Sequence, residues 1–548
     1  METGTEDGPW SGSGLPGARR VAVGIVLLVC VAGIFDHDLW NPHEHRVGGM
    51  IREMADSGDY LIPHLGGQPL FHKPPLYYAT GAVLLSALPT EPARTVRLAT
   101  LLYSLLAVAA FARTGFLLGG RRVALAGTIT LVTSLGFLHT SHLVVVDGGL
   151  VAFTNAAFWA FVECRRGWIG AKWVFWVALG GAFLTKGFVG PALVVPAVLV
   201  YLATERDLRG GLRTLAPVRG GLVLLGVVAL WAVPLYLRDE GVSLRGWLLS
   251  ENIGRFFARP GLVYHHDEPI WFYGPGLVVM FFPWILWLVV GVWRRARGTL
   301  TATAELERLA VAWFVAGFLL LSLSRTKREI YLVPLLPALS LLVADWFVRV
   351  RSVPGARAWR VAWAGIVTLA VPGCAILGIA GVLHYPRPGV AFTLAIAVAA
   401  TAWILALRLC TTGFFLVPAM AFLQAVVLVF PPADVAKSHR EGMRRVGVEI
   451  GNGEFATWRI GESLTGSLSF EIGVQGRDLR RPKALREYLA AQGNGWLLVR
   501  HDRWPFRRPA GEDFPGYVTR IRISDSDTLV VLRPDAAAVP LVRRRWRD

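Results

Sequence analysis

Residues 35–75 read FDHDLWNPHEHRVGGMIREMADSGDYLIPHLGGQPLFHKPP, and this polar stretch interrupts a chain that is otherwise mostly apolar up to about residue 430. It directly follows the first hydrophobic run, VAVGIVLLVCVAGIF. We therefore expect an acidic, histidine-bearing loop at a bilayer surface, with a large helical bundle behind it. Ionisable residues at membrane depth cost free energy, so their presence there indicates a functional site.

The composition indicates a polytopic α-helical membrane protein. The chain has 548 residues, of which 54% are hydrophobic and 17% charged, whereas soluble domains average about 25% charged residues. Apolar runs recur at lengths near the ~20 residues that a spanning helix needs. The first run ends in Phe35-Asp36-His37 without a small-residue cleavage site, which favours an uncleaved helix over a signal peptide.

The net charge of +18 does not indicate a nucleic-acid partner. Most arginines flank apolar runs, where they are expected to anchor helices on the cytoplasmic side. No basic stripe with interleaved aromatic residues occurs outside the membrane part. The four cysteines have no paired spacing, so they predict neither a disulfide framework nor a metal knuckle.

The arginine clusters also predict the topology. Placing all of them on the cytoplasmic side gives about thirteen spans, with the N-terminus inside and the C-terminus outside. The predicted spans are 21–35, 97–118, 123–140, 145–163, 172–189, 190–204, 219–237, 270–293, 308–323, 329–348, 361–384, 389–407 and 411–431. A full span at Pro75–Leu88 would move every later cluster across the membrane, so this run predicts a juxtamembrane or re-entrant helix.

These patterns divide the chain into three regions. Residues 1–20 are a cytoplasmic tail, residues 21–431 are the transmembrane domain with outer loops at 36–96 and 238–269, and residues 433–548 are a small extracytoplasmic α/β domain. In the last region RVGVEIG, SLSFEIGV, GWLLVRH and TLVVLRP are typical of strands, and PKALREYLAAQ is typical of a helix.

Several acids and cations meet on the outer face in this topology. Glu44, beside His43 at the mouth of the bundle, is a candidate general base or metal ligand, and the alternative is a solvated loop of mixed charge. Asp147 in LVVVDGG is a lone acid in an apolar run, which needs a cation partner or a substrate. Lys186 in LTKG is a cation at membrane depth near an outer helix end.

The outer-face cations predict a phosphate site. Lys73 precedes two prolines that restrict the backbone, which suits a fixed phosphate ligand, although a lysine there also serves as a snorkelling anchor. Lys327 and Arg328 in SRTKREIY run against the positive-inside trend. Arg255 can bind a phosphate through two parallel hydrogen bonds, or pair with Glu251.

The motifs, taken in order, resemble those of a known family. The motifs are LWNPHEHR, REMADSGDYLIPHLGGQPLFHKPPLYY, VVVDGGL, LTKG, ENIGRF, HDEPIWFY and SLSRTKREIYLVPLLPAL. They resemble the polyprenyl-phosphate-sugar glycosyltransferases of the GT-C fold, in particular the bacterial lipid A aminoarabinose transferases and the protein O-mannosyltransferase-like enzymes. The resemblance covers roughly residues 20–350. It implies an all-α polytopic bundle in the inner or plasma membrane.

The resemblance also implies site residues. The family's Asp-Glu pair, whose Asp is the catalytic acid/base, reads His43-Glu44 here. Either His43, Glu44 or a recruited Asp147 serves as the base, or the acceptor is an acidic group that needs little deprotonation. Lys73 matches the cation that holds the donor phosphate. The other residues implied for the donor site are Arg255, Lys327, Arg328 and Tyr331.

The resemblance also implies a metal site. The family's Glu before the lysine is a metal ligand in the aminoarabinose enzymes and is replaced by His72 here. A family histidine matches His266 of HDEP. Imidazole is a good zinc ligand, so His72 with His266 is a possible zinc pair.

The implied reaction is an inverting transfer of a sugar from a polyprenyl-phosphate donor to a lipid, glycan or protein acceptor at the extracytoplasmic face. Two other readings remain open at this point. A transporter or flippase of lipid-linked sugars would use the same cations without a base, and an inactive GT-C homologue would retain the fold alone.

Overall fold

The computed structural model describes residues 15–40, 42–254, 268–349, 430–491, 495–506, 515–534 and 536–542, together with positions 419, 422 and 426. The predicted spans 361–384 and 389–407 lie outside the described residues, as does most of 411–431. The chain up to residue 349 is helical apart from one short hairpin, and the region after residue 430 is a mixed α/β unit.

The membrane part is built of fifteen described helices, with 3₁₀ turns at Ile270–Phe272 and Glu329–Leu335 and a π-helix at Trp247–Gly254. The helices are α1 (Leu15–Val31), α2 (His43–Ser57), α3 (Leu76–Ala87), α4 (Pro92–Val132), α5 (Leu135–His142), α6 (Asp147–Arg165), α7 (Ala171–Lys186), α8 (Val189–Thr204), α9 (Leu208–Leu215), α10 (Pro217–Asp239), α11 (Val242–Gly246), α12 (Tyr273–Met280), α13 (Ile285–Ala296), α14 (Ala304–Leu323) and α15 (Leu336–Arg349). The hairpin consists of β1 (His64–Leu65) and β2 (Gln68–Pro69).

The described helices are those of a multi-pass membrane protein. Four of them are long and apolar enough to cross a bilayer, or six if each sharply bent pair makes one span. The bent pairs are α5 with α6, at 114°, and the segment ending in α12 with α13, at 110°. The predicted number of thirteen spans is not tested by these residues and stays a prediction.

Helix α4 is a helical hairpin rather than one rod. A single helix of its 41 residues would be about 60 Å long, twice the hydrocarbon core of a bilayer. At Gly120 the backbone has φ 74° and ψ −174°, a conformation open almost only to glycine. A Cβ on Gly115 would lie 3.1 Å from Ala124 Cα, although nine residues of straight helix span about 13 Å. The chain therefore turns back at Gly120, between the predicted spans 97–118 and 123–140.

Helix α3 is the segment predicted to be juxtamembrane or re-entrant. Its 12 residues are about 18 Å long, which is too short to cross a bilayer. It packs between α2 and the first arm of α4: the Tyr77 hydroxyl lies 2.8 Å from Thr100 Oγ1, and a Cβ on Gly81 would lie 2.7 Å from Ile51 Cδ1. Helix α3 therefore supports α2 from the side of the bundle.

The C-terminal unit contains a five-stranded sheet in the order β4-β3-β5-β7-β6. Strand β3 (Phe455–Trp458) runs parallel to β4 (Arg477–Leu479) and β5 (Trp496–Arg500). Strand β7 (Thr528–Pro534) runs antiparallel to β5 and β6 (Gly516–Arg522). Strands β5 and β7 and the helix over PKALREYLAAQ occur where the sequence predicts them.

The described helices of this unit are α16 (Phe430–Lys437), α17 (Arg440–Ile450), α18 (Glu462–Ser467) and α19 (Pro482–Ala491), with a π-helix at Leu468–Ile472 after α18.

Two strand predictions in this unit are wrong. RVGVEIG lies in α17, because Met443, Val446 and Ile450 are buried at helical spacing while Val448 is 80% exposed. SLSFEIGV lies in the end of α18 and in the π-helix.

Candidate active site

Glu44 forms a buried ion pair at the start of α2. It is 1% exposed, and Arg97 Nη2 lies 3.2 Å from its Oε1. The Val144 amide donates to Oε1 at 2.7 Å, and the Trp40 amide donates to Oε2 at 2.9 Å. Both carboxylate oxygens are therefore engaged, and the pair ties α2 to α4 and to the segment before α6.

Arg97 is the centre of a larger buried network. It is fully buried and lies in the first arm of α4. Its guanidinium donates to the His142 carbonyl at 2.8 Å and to the Asp38 carbonyl at 2.7 Å, and Nη1 lies 2.7 Å from His37 Nε2. These hydrogen bonds fix the segment between α5 and α6 next to the loop that precedes α2.

His43 is the first residue of α2 and contacts Arg328. The Arg328 guanidinium donates to His43 Nε2. Burial, with the charge of Arg328 as the next cause, lowers the pKa of His43 to about 4. The imidazole is therefore neutral near pH 7, and its Nε2 accepts the hydrogen bond from Arg328. The contact joins two predicted site residues that are 285 positions apart.

Asp147 and Lys186 form a second buried ion pair. Asp147 begins α6 and Lys186 ends α7, and they are 8% and 7% exposed. Lys186 Nζ lies 4.0 Å from the centroid of the Tyr331 ring, a cation–π contact. The lone acid and the intramembrane cation noticed in the sequence are thus partners, and Tyr331 covers them.

Further cations surround this pair. The positive charges of Lys73 and Arg328 act on Asp147 in addition to that of Lys186. Arg46, one turn after His43 in α2, is close enough to act electrostatically on His43. The structure therefore gathers the Asp147 carboxylate and several cations from α2, the loop before α3, α6, α7 and the segment before α15. Such a group can bind a phosphate and place a carboxylate beside it.

The remaining predicted phosphate ligands are not part of this described group. Lys327 is 3% exposed, and its Nζ donates to the Glu268 carbonyl at 2.7 Å, so it links the segment before α12 to the segment before α15. Arg255 lies outside the described residues. The roles predicted for both stay predictions.

The predicted zinc pair lies only partly within the described residues. His72 is half-buried, and His266 lies outside the described part of the chain. Within that part no three His, Cys, Asp or Glu side chains lie together in a way that could hold a metal ion. The described residues therefore do not test the predicted zinc pair, which stays a prediction.

Two residues of this site are not among the candidates predicted from the sequence. Arg97 is predicted there only as the first residue of a span, although the loop before it is predicted to be extracytoplasmic, so an arginine at this end of the span runs against the positive-inside trend. The signal for Arg46 is its spacing from His43, since residues three apart share a helix face.

Known proteins resemble both the sequence and the structure of the chain. Residues 49–240 match the family described as dolichyl-phosphate-mannose-protein mannosyltransferase. An undecaprenyl phosphate-alpha-4-amino-4-deoxy-L-arabinose arabinosyl transferase of Pectobacterium carotovorum is 28% identical over 65% of this chain and 64% of its own length. The enzyme of that name from Pseudomonas savastanoi is 31% identical over 63% of each chain. The chain thus matches less than two thirds of the length of these relatives.

A solved structure matches nearly the whole chain. The crystal structure of ArnT from Cupriavidus metallidurans bound to undecaprenyl phosphate superposes with a TM-score of 0.72, covering 96% of this chain and 99% of that chain at 20% identity. At this identity the match shows the fold. The comparisons confirm the resemblance read from the motifs: the chain has the GT-C fold and is similar in sequence to the polyprenyl-phosphate-sugar glycosyltransferases.

Proposed function

We propose that this chain is a membrane glycosyltransferase that moves a sugar from a polyprenyl-phosphate donor to a lipid, glycan or protein acceptor, with inversion at the anomeric carbon. The observation that carries the proposal is the buried Asp147–Lys186 pair, surrounded by Lys73, Arg328 and Tyr331. The names of the arabinosyl transferase relatives support the reaction class, and the undecaprenyl phosphate bound to the similar structure supports the donor class.

The cations have a defined task in this reaction. The acceptor oxygen bonds to the anomeric carbon as the bond from that carbon to the phosphate oxygen breaks. The leaving polyprenyl phosphate gains one negative charge. Lys73, Arg328 and Lys186 stabilise this charge as it grows, which lowers the barrier because they are fixed before the reaction starts. The predicted ligands Arg255 and Lys327 belong to the same proposal.

The acceptor proton is proposed to go to Asp147. A base must lie beside the bond that forms, and Asp147 is the carboxylate that the described cations surround. His43, neutral near pH 7, is the second candidate. The four bonds of Glu44 favour a positioning role for it instead of the base role read from the motif.

We propose that the N-terminus is cytoplasmic, that the C-terminal unit and the site lie on the extracytoplasmic face of the inner membrane, and that about thirteen spans connect them. His72 and His266 are the residues proposed to hold a zinc ion.

The proposed function is tested with purified protein, short-chain polyprenyl-phosphate sugars in aminoarabinose and mannose forms, and a membrane extract as the acceptor. Release of free polyprenyl phosphate is the readout. Asp147→Asn is expected to lower release by about 10²–10⁴-fold, and Lys73→Ala by about 10²–10³-fold.

Glu163→Gln is the matched control for Asp147→Asn, because Glu163 pairs with Arg113 near the other end of the same helix. It should release at the wild-type rate. Thermal unfolding of every variant separates lost chemistry from lost fold. Donor binding without release, with all sugars and acceptors, would favour a transporter or an inactive homologue. Loss of release in a His43 variant but not in Asp147→Asn would assign the base to His43.

A further inference from the structure

Helix α2, which begins with His43, is enclosed between the bundle and the C-terminal unit. Helix α3 covers one side of α2, where Gly81 and Ile51 meet. Helix α18 and the π-helix after it cover the other side, where Phe470 lies 3.1 Å from the position of a Cβ on Gly48. The C-terminal unit is therefore in direct contact with the helix that carries site residues.

The two helix backbones touch at a pair of glycines. A Cβ on Gly49 would lie 2.6 Å from Gly466 Cα, and a Cβ on Gly466 would lie 2.3 Å from the His45 carbonyl oxygen. Carbon and oxygen atoms in contact are normally about 3.3–3.6 Å apart. No side chain fits between α2 and α18, so the distance between them is set by backbone contact.

Polar contacts set the rotation of α2 against α18. Arg46 Nη1 donates to Glu462 Oε2 at 2.9 Å. Arg46 lies one helical turn after His43, so the two side chains share a face of α2. Glu462, the first residue of α18, thus restrains the face of α2 that points into the site.

A third contact connects the π-helix after α18 to the loop that carries Lys73. The Glu53 carboxylate, near the end of α2, accepts from the amides of Gly66 at 2.6 Å and Gly67 at 3.0 Å in the β1–β2 hairpin. The Ser469 hydroxyl of the π-helix donates to the same carboxylate. Glu53 is 3% exposed. Helix α2, the hairpin before Lys73 and the C-terminal unit are therefore held by one buried carboxylate.

We propose that the C-terminal unit is a positioning element of the active site, in which Gly466 and Glu462 hold α2 so that His43 and Arg46 face the Asp147–Lys186 pair. This inference rests on the proposed function. Its physical reason is that a displacement of about 1 Å in a catalytic group, even from a remote change, costs about 10²-fold in rate. Gly466 and Glu462 act through α2 and are positioning residues.

The first test is Gly466→Ala. The added Cβ must push α2 away by about 1 Å to reach a normal contact distance. We expect kcat to fall by about 10²-fold, with KM for the donor changed less than threefold. Gly221→Ala in α10 is the matched control, because a Cβ there meets nothing within 4 Å, and its kcat should equal that of the wild type.

The second test changes charge without adding bulk to the helix contact. Glu462→Lys places a cation beside Arg46 and should lower kcat at least tenfold, whereas Glu462→Asp should restore most of it. Glu441→Lys is the control, since Glu441 forms an exposed pair with Arg445 in the same unit. The Glu462→Lys variant keeps the proposal testable if Gly466→Ala fails to fold.

Hydrogen–deuterium exchange of the α2 amides gives a readout that needs no turnover. Both variants should exchange faster in residues 43–57 than the wild type, and both controls should not. Normal kcat and normal exchange at an unchanged Tm would overturn the inference. So would a lower Tm with an unchanged kcat per folded molecule, which is the result of a purely structural role. If the wild type itself releases no polyprenyl phosphate, the proposed function fails and exchange alone decides the positioning role.

Discussion

At the scale of single residues, Glu44 shows how burial changes the role that a motif implies. Its carboxylate pairs with Arg97 and accepts two backbone amides. Breaking a buried ion pair costs about 3–5 kcal/mol, because the remaining charge is left without a partner. We therefore expect Glu44→Gln to lower the thermal unfolding midpoint and the yield of folded protein in detergent.

The control for Glu44→Gln is Asp56→Asn at the other end of α2. Asp56 pairs with Arg52 on the surface, and exposed pairs contribute about 0–1 kcal/mol. The unfolding midpoint of this variant should stay near that of the wild type. A Glu44→Gln protein that unfolds normally but releases no polyprenyl phosphate would return Glu44 to the role of base.

At the scale of elements, the hairpin of α4 depends on Gly120. A residue with a Cβ in the backbone conformation of Gly120 is strained by about 1–3 kcal/mol. A Cβ there would meet no atom within 4 Å, so strain is the only expected cost. Gly120→Ala should therefore lower the free energy of unfolding by that amount in detergent titrations.

Gly226→Ala in α10 is the matched control for this effect. It also has space for a Cβ, but it lies in a regular helix, where alanine is favoured over glycine by about 1 kcal/mol. The two substitutions should change stability in opposite directions. Equal effects would mean that the backbone at Gly120 is not strained by a side chain.

The contact between the C-terminal unit and the loops around α2 contains a titrating carboxyl group. Burial, with the negative charge of Asp38 as the next cause, raises the pKa of Glu471 from 4.5 to about 7, while Arg440 opposes the shift. The folded state then holds this proton more tightly than the unfolded state. The free energy of unfolding should therefore fall as the pH rises from about 4.5 to 7.

Glu471→Gln removes this titration. Between pH 5 and pH 8 the thermal unfolding midpoint should fall further for the wild type than for Glu471→Gln, with both proteins measured in the same detergent. The variant should be the more stable of the two at pH 8, because it buries no charge at this position. Parallel curves for the two proteins would mean that Glu471 does not titrate in this range.

At the scale of the whole molecule, the predicted topology places the C-terminal unit outside the membrane and the turn between α6 and α7 inside. Val448 on α17 is 80% exposed, and Ile169 in that turn is 71% exposed. In a variant without the four native cysteines, Val448→Cys should react with a membrane-impermeant maleimide added to intact spheroplasts. Ile169→Cys should react only after lysis, and the opposite pattern would invert the topology.

The sequence by itself predicted which segments are apolar enough to enter the membrane, and it determined that Pro75–Leu88 is too short for a full span and which family the chain resembles. These features are local, because the transfer of an apolar segment into lipid depends on its own composition and charge. The motifs around Lys73 and Arg328 predicted a phosphate site, because cations that run against the positive-inside trend are also a local signal.

Only the tertiary structure decided which charges are partners. Asp147 is paired with Lys186, 39 residues away, and Glu44 with Arg97, 53 residues away, and local patterns do not encode such distances. The helices found in place of two predicted strands arise from packing: α17 buries Met443, Val446 and Ile450 on one face, and the π-helix after α18 packs against α2. Tertiary packing overrides local β-propensity, because that propensity reflects the surroundings of a segment more than its backbone preference.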